Sequence, residues 1–275
     1  MYITASGTRE RPGNIVSYSA RGFYVVHSTN HGNAKASTSR MGNEIGTHAF
    51  FVQPHLPPQR VSCGNFENME HVFFSPWVGK DYATGGIFGK KVLVLGEGHI
   101  CDCDDCNECG KAEKRKECGN FTTNVTIDTL LNGETTPWTG TFRKFERSLV
   151  GHDTDVEESK RIWNSVAFYN YIQRAMTEAR TAPTPEDFAV SEKAFYEVLE
   201  ELQPDLIIAW GVTRMYDNLP GEGWEAGPDM IVDEYAVHNG YYTLRNGHRV
   251  RIIFIYHPSS GYSWDWWHKV IKSEL

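Results

Sequence analysis

The sequence has no apolar run of membrane-spanning length. Its longest clean stretches, Val92–Leu95, Leu206–Trp210 and Ile252–Tyr256, suit buried strands instead. It has no internal repeat and no low-complexity tract, so a collagen-like or disordered chain is excluded. It also lacks a Gly-x-Ser-x-Gly elbow and a Walker-type phosphate loop, which places an unrelated α/β hydrolase last among the readings. Met1-Tyr2-Ile3-Thr4 carries neither a basic flank nor an apolar signal core, and the expectation is a cytoplasmic protein without a membrane partner. What is present is apolar mass. Of 275 residues, 40% are hydrophobic and 13% aromatic, enough to bury a sizeable core.

The net charge of −8 is unevenly spread. Residues 1–60 hold Arg9, Arg11, Arg21, Lys35, Arg40 and Arg60 against Glu10 and Glu44, a local balance of +4, so the remainder stands at −12. An acidic body argues against indiscriminate coating of nucleic acid, but not against a local cleft served by a basic arm. That arm, residues 1–70, is rich in Gly, Ser, Thr, Asn and His. Its short β-type runs, Gly22–Val26 and His48–Val52, suggest a strand-rich extension.

From about Val72 the pattern changes. Apolar strands are expected at Val92–Leu95, Arg161–Trp163, Asp205–Trp210 and Arg251–Tyr256. A helical run is expected from Ser165 to about Ala179, and another from Thr184-Pro185-Glu186-Asp187 to Leu202. Apolar strands alternating with helices predict a three-layer α/β/α sandwich around a mainly parallel sheet, over residues 71–275. Such sheets bind ligands beyond the C-terminal strand ends. Those ends carry Gly96-Glu97, Asn164, Gly211 and His257.

Taken in order, these motifs resemble the uracil-DNA glycosylase superfamily over roughly Phe73 to Leu275. Gly96-Glu97-Gly98-His99-Ile100 is similar to the first motif. His257-Pro258-Ser259-Ser260-Gly261 is similar to the second. Ile162-Trp163-Asn164 matches the strand whose terminal Asn reads a flipped base, and Phe121 stands where the family places its stacking aromatic. The resemblance implies a monomeric, monofunctional DNA glycosylase. Asn164 would read the base, His257 would donate to its oxygen, and Glu97 would orient the attacking water. Gly96, Gly98, His99, Ile100, Phe121, Ser259, Ser260 and Tyr262 would line the substrate site, with Tyr262 or Trp264 filling the vacated stack. Asn164 and His257 taken singly are also compatible with capping local backbone. Gly98 stands in place of a water-activating Asp, and Ile100 in place of the Tyr that excludes C5-substituted pyrimidines. A modified cytosine is therefore an expected substrate beside uracil, in repair or in defence against phage. The alternative is a catalytically silent binder of nucleic acid or nucleotide on the same fold.

Five of six cysteines cluster as Cys101, Cys103, Cys106, Cys109 and Cys118, within an insertion spanning residues 101–118. In a chain expected to be cytoplasmic, this spacing favours metal over disulfides. Structural zinc on four of the thiolates is the first expectation, and an iron–sulfur cluster the second.

Overall fold

The computed structural model describes residues 66, 69–101, 118–125, 130–133, 135–136, 138–176, 181–259 and 261–275. All lie within one compact unit spanning 60–275. The expected strands at Gly22–Val26 and His48–Val52 fall outside the described residues, as do Cys103, Cys106, Cys109 and Ser260.

The chain is mixed α/β, built on a seven-stranded sheet. Its strands are β1 (Trp77–Val78), β2 (Val92–Gly96), β3 (Val166–Asn170), β4 (Leu206–Trp210), β5 (Trp224–Ala226), β8 (Asn239–Thr243) and β9 (Arg249–Ile255). Their order is β1-β3-β2-β4-β9-β8-β5. The central four, β3, β2, β4 and β9, are parallel. Antiparallel pairings add β1 on one side, and β8 then β5 on the other. That antiparallel flank is not apparent from the sequence. A separate hairpin pairs β6 (Ile231–Val232) with β7 (Tyr235–Ala236). The helices are α1 (Phe121–Val125), α2 (Thr139–Val150), α3 (Val156–Ser165), α4 (Pro185–Leu202), α5 (Val212–Asn218) and α6 (Trp264–Lys272).

The unbroken apolar runs of the central strands follow from burial on both faces. Leu93 and Leu95 of β2, Ile207 and Ala209 of β4, and Ile252 and Phe254 of β9 enter one cluster with Phe188, Phe195, Val198 and Leu199 of α4. Their alternates Val92, Val94, Leu206, Ile208, Ile253 and Ile255 enter the other cluster, with α2, α3 and α6. Phe66, ahead of the boundary expected near residue 70, is buried in the first of these. No helix among the described residues is long and apolar enough to cross a membrane.

One expected element is displaced. Arg161–Trp163 is not a strand but the last part of α3, and the strand is Val166–Asn170, where a helix was expected. The physical reason lies at the start of α3. Asp155 accepts a hydrogen bond from the Glu158 backbone amide at 2.8 Å, and Glu157 and Glu158 fill the first turn. Ser159, Ile162 and Trp163 then recur at helical spacing on the buried face. Trp163 is fully buried, and its indole N–H donates to Glu146 at 2.8 Å. The Glu146 carboxylate, itself wholly buried, also accepts from Arg143, Ser159 and Thr154. It thereby pins α2 to α3.

Candidate functional site

Four parallel strands deliver their C-terminal ends to one edge of the sheet, and the polar groups there come from four distant segments. Gly96 ends β2 and leads into Glu97. Asn170 ends β3, paired in register with Gly96. Trp210 ends β4, and Gly211, at a positive φ of 111°, turns the chain into α5. Ile255 ends β9, two residues before His257.

Asn170 was not anticipated; Asn164 was expected in its place. The structure puts Asn164 on α3, where its Nδ2 donates to Lys160 O at 2.8 Å. Its carbonyl accepts from the Asp81 amide at the opposite end of the sheet, just ahead of the start of β3. Asn164 therefore bonds local backbone, and it does not join the other candidates. Asn170 does. It is 8% exposed, and its carboxamide makes no hydrogen bond within the described residues. A β-carbon on Gly96 would lie 2.1 Å from its Oδ1, so only glycine leaves room for that amide. Its backbone is held by Gln173, whose Nε2 donates to the carbonyls of Asn170 and Tyr171 and to the Tyr169 hydroxyl. Gln173 Oε1 accepts from the Phe73 and Phe74 amides at 2.8 and 3.0 Å, which fixes that segment beside the site.

His257 presents one tautomer. The Ser259 backbone N–H, which can only donate, lies 3.2 Å from Nδ1, and the Ser259 hydroxyl lies 2.8 Å from the same atom. Nδ1 is therefore the acceptor, and the neutral ring carries its proton on Nε2. Nε2 makes no hydrogen bond within the described residues. The ring meets Trp210 edge-on at 5.7 Å while its outer part stays open to solvent. Desolvation pushes the imidazole below its ordinary pKa. Glu97 pulls it up and Arg214 pushes it down. The bonding at Nδ1 and the lowered pKa both favour the neutral ring with its proton on Nε2.

Glu97 is largely buried, and both its oxygens accept from Arg214: Oε2 from Nε at 2.6 Å and Oε1 from Nη2 at 2.8 Å. Arg214, on α5, is half-exposed and has no counterpart among the residues expected from sequence. No local signal marks it, because the pair spans 117 residues.

His99 is not open to a ligand. It is 5% exposed, its Nε2 lies 2.6 Å from Thr122 Oγ1, and its ring packs against Phe74 at 4.4 Å and Phe121 at 5.0 Å. Burial drives its pKa to about 3, so the ring is neutral, and it packs edge-to-face against Phe121. Phe121 itself is partly buried, at the start of α1. Tyr262 is likewise committed. Its hydroxyl lies 2.6 Å from Ser148 Oγ and its ring stacks on Trp267, so it is packing rather than a free wedge. Trp264 opens α6. Ile100 is 49% exposed and continues the β2–β3 pairing through a bridge to Met176. A β-carbon on Gly98 would meet Ile172 Cβ at 3.4 Å, an ordinary contact distance. Ser259 acts through His257.

Cys101 and Cys118, the two ends of the cysteine-rich insertion, pack against the same cluster of Phe73, Phe74 and Ala175. Among the described residues no three His, Cys, Asp or Glu side chains converge as a metal-binding group.

Compared with models of known protein families and with curated proteins, the chain matches none.

Proposed function

We propose that the chain is a monofunctional DNA glycosylase on a three-layer α/β/α core. It would act on uracil or a C5-modified cytosine, including glucosylated hydroxymethylcytosine. The observation that carries this reading is the presence of two unspent groups at C-terminal strand ends on the same edge of the sheet, the Asn170 carboxamide at the end of β3 and the His257 Nε2–H after β9. Strands β3 and β9 are separated by β2 and β4, about 14 Å between their backbones, so a flipped base would lie across the ends of the two central strands.

An amide offers a donor and an acceptor, which matches a pyrimidine edge. Once the nucleotide is flipped out, Asn170 reads that edge and the Phe121 ring is the candidate stacking face. Cleavage of the C1′–N bond leaves its electron pair on the base, and His257 Nε2–H stabilises the charge developing on the base oxygen. The carboxylate of Glu97 orients the water that attacks C1′; the water's proton passes to solvent or to the departing base. Gly98 and Ile100 leave the C5 side without a large polar or aromatic wall, which supports admission of a substituted pyrimidine. No Lys nucleophile stands in the motifs, so the product is an abasic site in intact strands. The reading places the protein in the cytoplasm as a monomer, in base-excision repair or in defence against modified phage DNA. Residues 1–60, with their balance of +4, would add phosphate contacts to DNA binding.

The insertion fits a structural metal, because Cys101 and Cys118 are brought to one small cluster beside Phe121. Zinc on four of the five thiolates would hold the insertion in place and supply no step of the reaction. An iron–sulfur cluster is the second choice for the same ligands.

The bidentate hold of Arg214 on Glu97 favours a second reading, a catalytically silent binder of nucleic acid. One experiment separates the two. The pure protein is incubated with uracil-containing oligonucleotides, single- and double-stranded, and with phage DNA carrying hydroxymethylated or glucosylated cytosine. Alkali-labile sites and mass spectrometry of free base are read, with His257→Ala as control. Release of a base, lost in the control, is expected; binding without release from any substrate selects the silent binder.

A further inference from the structure

We propose that Arg214 is a positioning residue that keeps His257 a neutral hydrogen-bond donor by cancelling the charge of Glu97. Its catalytic meaning rests on the glycosylase reading; its electrostatic content does not.

The geometry sets two requirements against each other. The segment from His257 to Ser259 favours a neutral ring, because protonating Nδ1 would turn an N–H toward the Ser259 backbone N–H, 3.2 Å away, and leave only the Ser259 hydroxyl to accept it. Yet Glu97 follows β2, two strands from β9 at the same end of the sheet, and an uncompensated carboxylate favours an imidazolium. Glu97 is largely shielded from water, which strengthens its field. The guanidinium of Arg214 removes that conflict. Its fork takes both carboxylate oxygens and holds Glu97 in one orientation, while its own charge opposes protonation of the ring.

Among the described residues the charged groups that act on the His257 ring are Glu97 and Arg214. The loop after β2 supplies Glu97 and α5 supplies Arg214. Strand β4 supplies the neutral indole of Trp210, and the ring's own segment the neutral hydroxyl of Ser259. The two charges act on the imidazole with opposite signs, beside the larger effect of burial. Arg214 thus lets the same end of the sheet keep a carboxylate for water and a neutral donor for the base.

The test is a titration of His257 by nuclear magnetic resonance in the full chain, with ¹⁵N-labelled histidine. The wild-type protein is compared with Arg214→Ala, Glu97→Gln, the double variant and Arg214→Lys. Arg214→Ala is expected to raise the His257 midpoint by about one pH unit. Glu97→Gln is expected to lower it, and the double variant to return it near the wild-type value. Arg214→Lys restores charge without the fork and is expected to recover most of the midpoint. A purely structural role would not produce shifts of opposite sign. On active DNA substrate, the acid limb of the pH–rate profile should move up with the midpoint in Arg214→Ala, with KM little changed. If the alanine variant does not fold, Arg214→Gln gives the same comparison at nearly full size. Unchanged midpoints in both single variants overturn the proposal, whatever the activity. Shifted midpoints with no base released from any DNA leave the role of Arg214 standing and remove the glycosylase reading instead.

Discussion

The carboxamide of Asn170 fills the space that any side chain on Gly96 would need, with Oδ1 2.1 Å from the position of the missing β-carbon. The glycine at the end of β2 is thus the seat of the amide at the end of β3. This relationship joins two residues 74 apart in sequence through one rung of the parallel ladder.

Replacing Asn170 by Ala should lower the single-turnover rate of base release about 10²–10³-fold, the usual cost of removing one donor aimed at a reacting centre. Gly96→Ala should cause a loss in the same direction by displacing the amide. Asn164→Ala should stay within a few-fold of wild type, because Asn164 sits at the far end of the sheet. Equal losses for Asn164→Ala and Asn170→Ala would sink the assignment.

Glu146 is a stability determinant with no part in the chemistry. Its buried carboxylate receives Arg143, Thr154, Ser159 and Trp163, so Glu146→Ala strands several donors at once. A loss of about 3–5 kcal/mol is expected from breaking such a buried arrangement. Urea midpoints would measure it, and a loss below about 1 kcal/mol would place the hub among ordinary hydrogen bonds.

Acid should weaken the protein partly through Asp187. The guanidinium of Arg174 holds its carboxyl at about 2, with Thr184 assisting through its backbone and hydroxyl while burial acts in the opposite sense. A carboxyl depressed from 3.8 contributes stability that is full above that value and lost as pH falls towards 2. Arg174→Gln should therefore cost at most about 2 kcal/mol at pH 7. The gap from wild type should close between pH 4 and pH 2. A gap that stays constant over that range would show that the ion pair does not set the carboxyl.

Metal analysis of protein purified without added metal should find about one zinc per chain. Chelation should lower the melting temperature and weaken base release together, because Cys101 and Cys118 share one cluster with Phe121. Iron with sulfide in place of zinc would select the cluster; full stability and activity after chelation would remove a structural metal altogether.

Much of the frame is legible in the sequence where burial is two-sided. Val92–Leu95, Leu206–Trp210 and the run to Ile255 read as strands because nothing polar interrupts them. The start of α4 is announced by Thr184 and Asp187, which form a reciprocal cap around Pro185. Glu97 and His257 are found because each follows such a strand. Strand β3 was harder to place. Ile162 and Trp163 look extended as an apolar pair, but the cap at Asp155, seven residues earlier, turns them onto a helix face. That slip of one element moved the expected amide from Asn170 to Asn164. Arg214 was invisible for a different reason: its partner is fixed by the fold, and an arginine in a short helix looks the same with or without one. Strands β8 and β5 escaped because Asn239-Gly240-Tyr241 has neither a long apolar run nor clear alternation.

The parallel pairing that lines up the site residues also governs how the site comes into being. Val92 is bonded in register to Val166 on one side and Leu206 on the other, so each contact closes a long loop before any neighbouring contact offsets its entropy. Glu97, Asn170, Arg214 and His257 share no local precursor, and no fragment ending before β9 contains the set. Helical signal can return early in refolding while function waits for the last strand to dock. A ribosome must likewise deliver β9 and His257 before the proposed site can be complete.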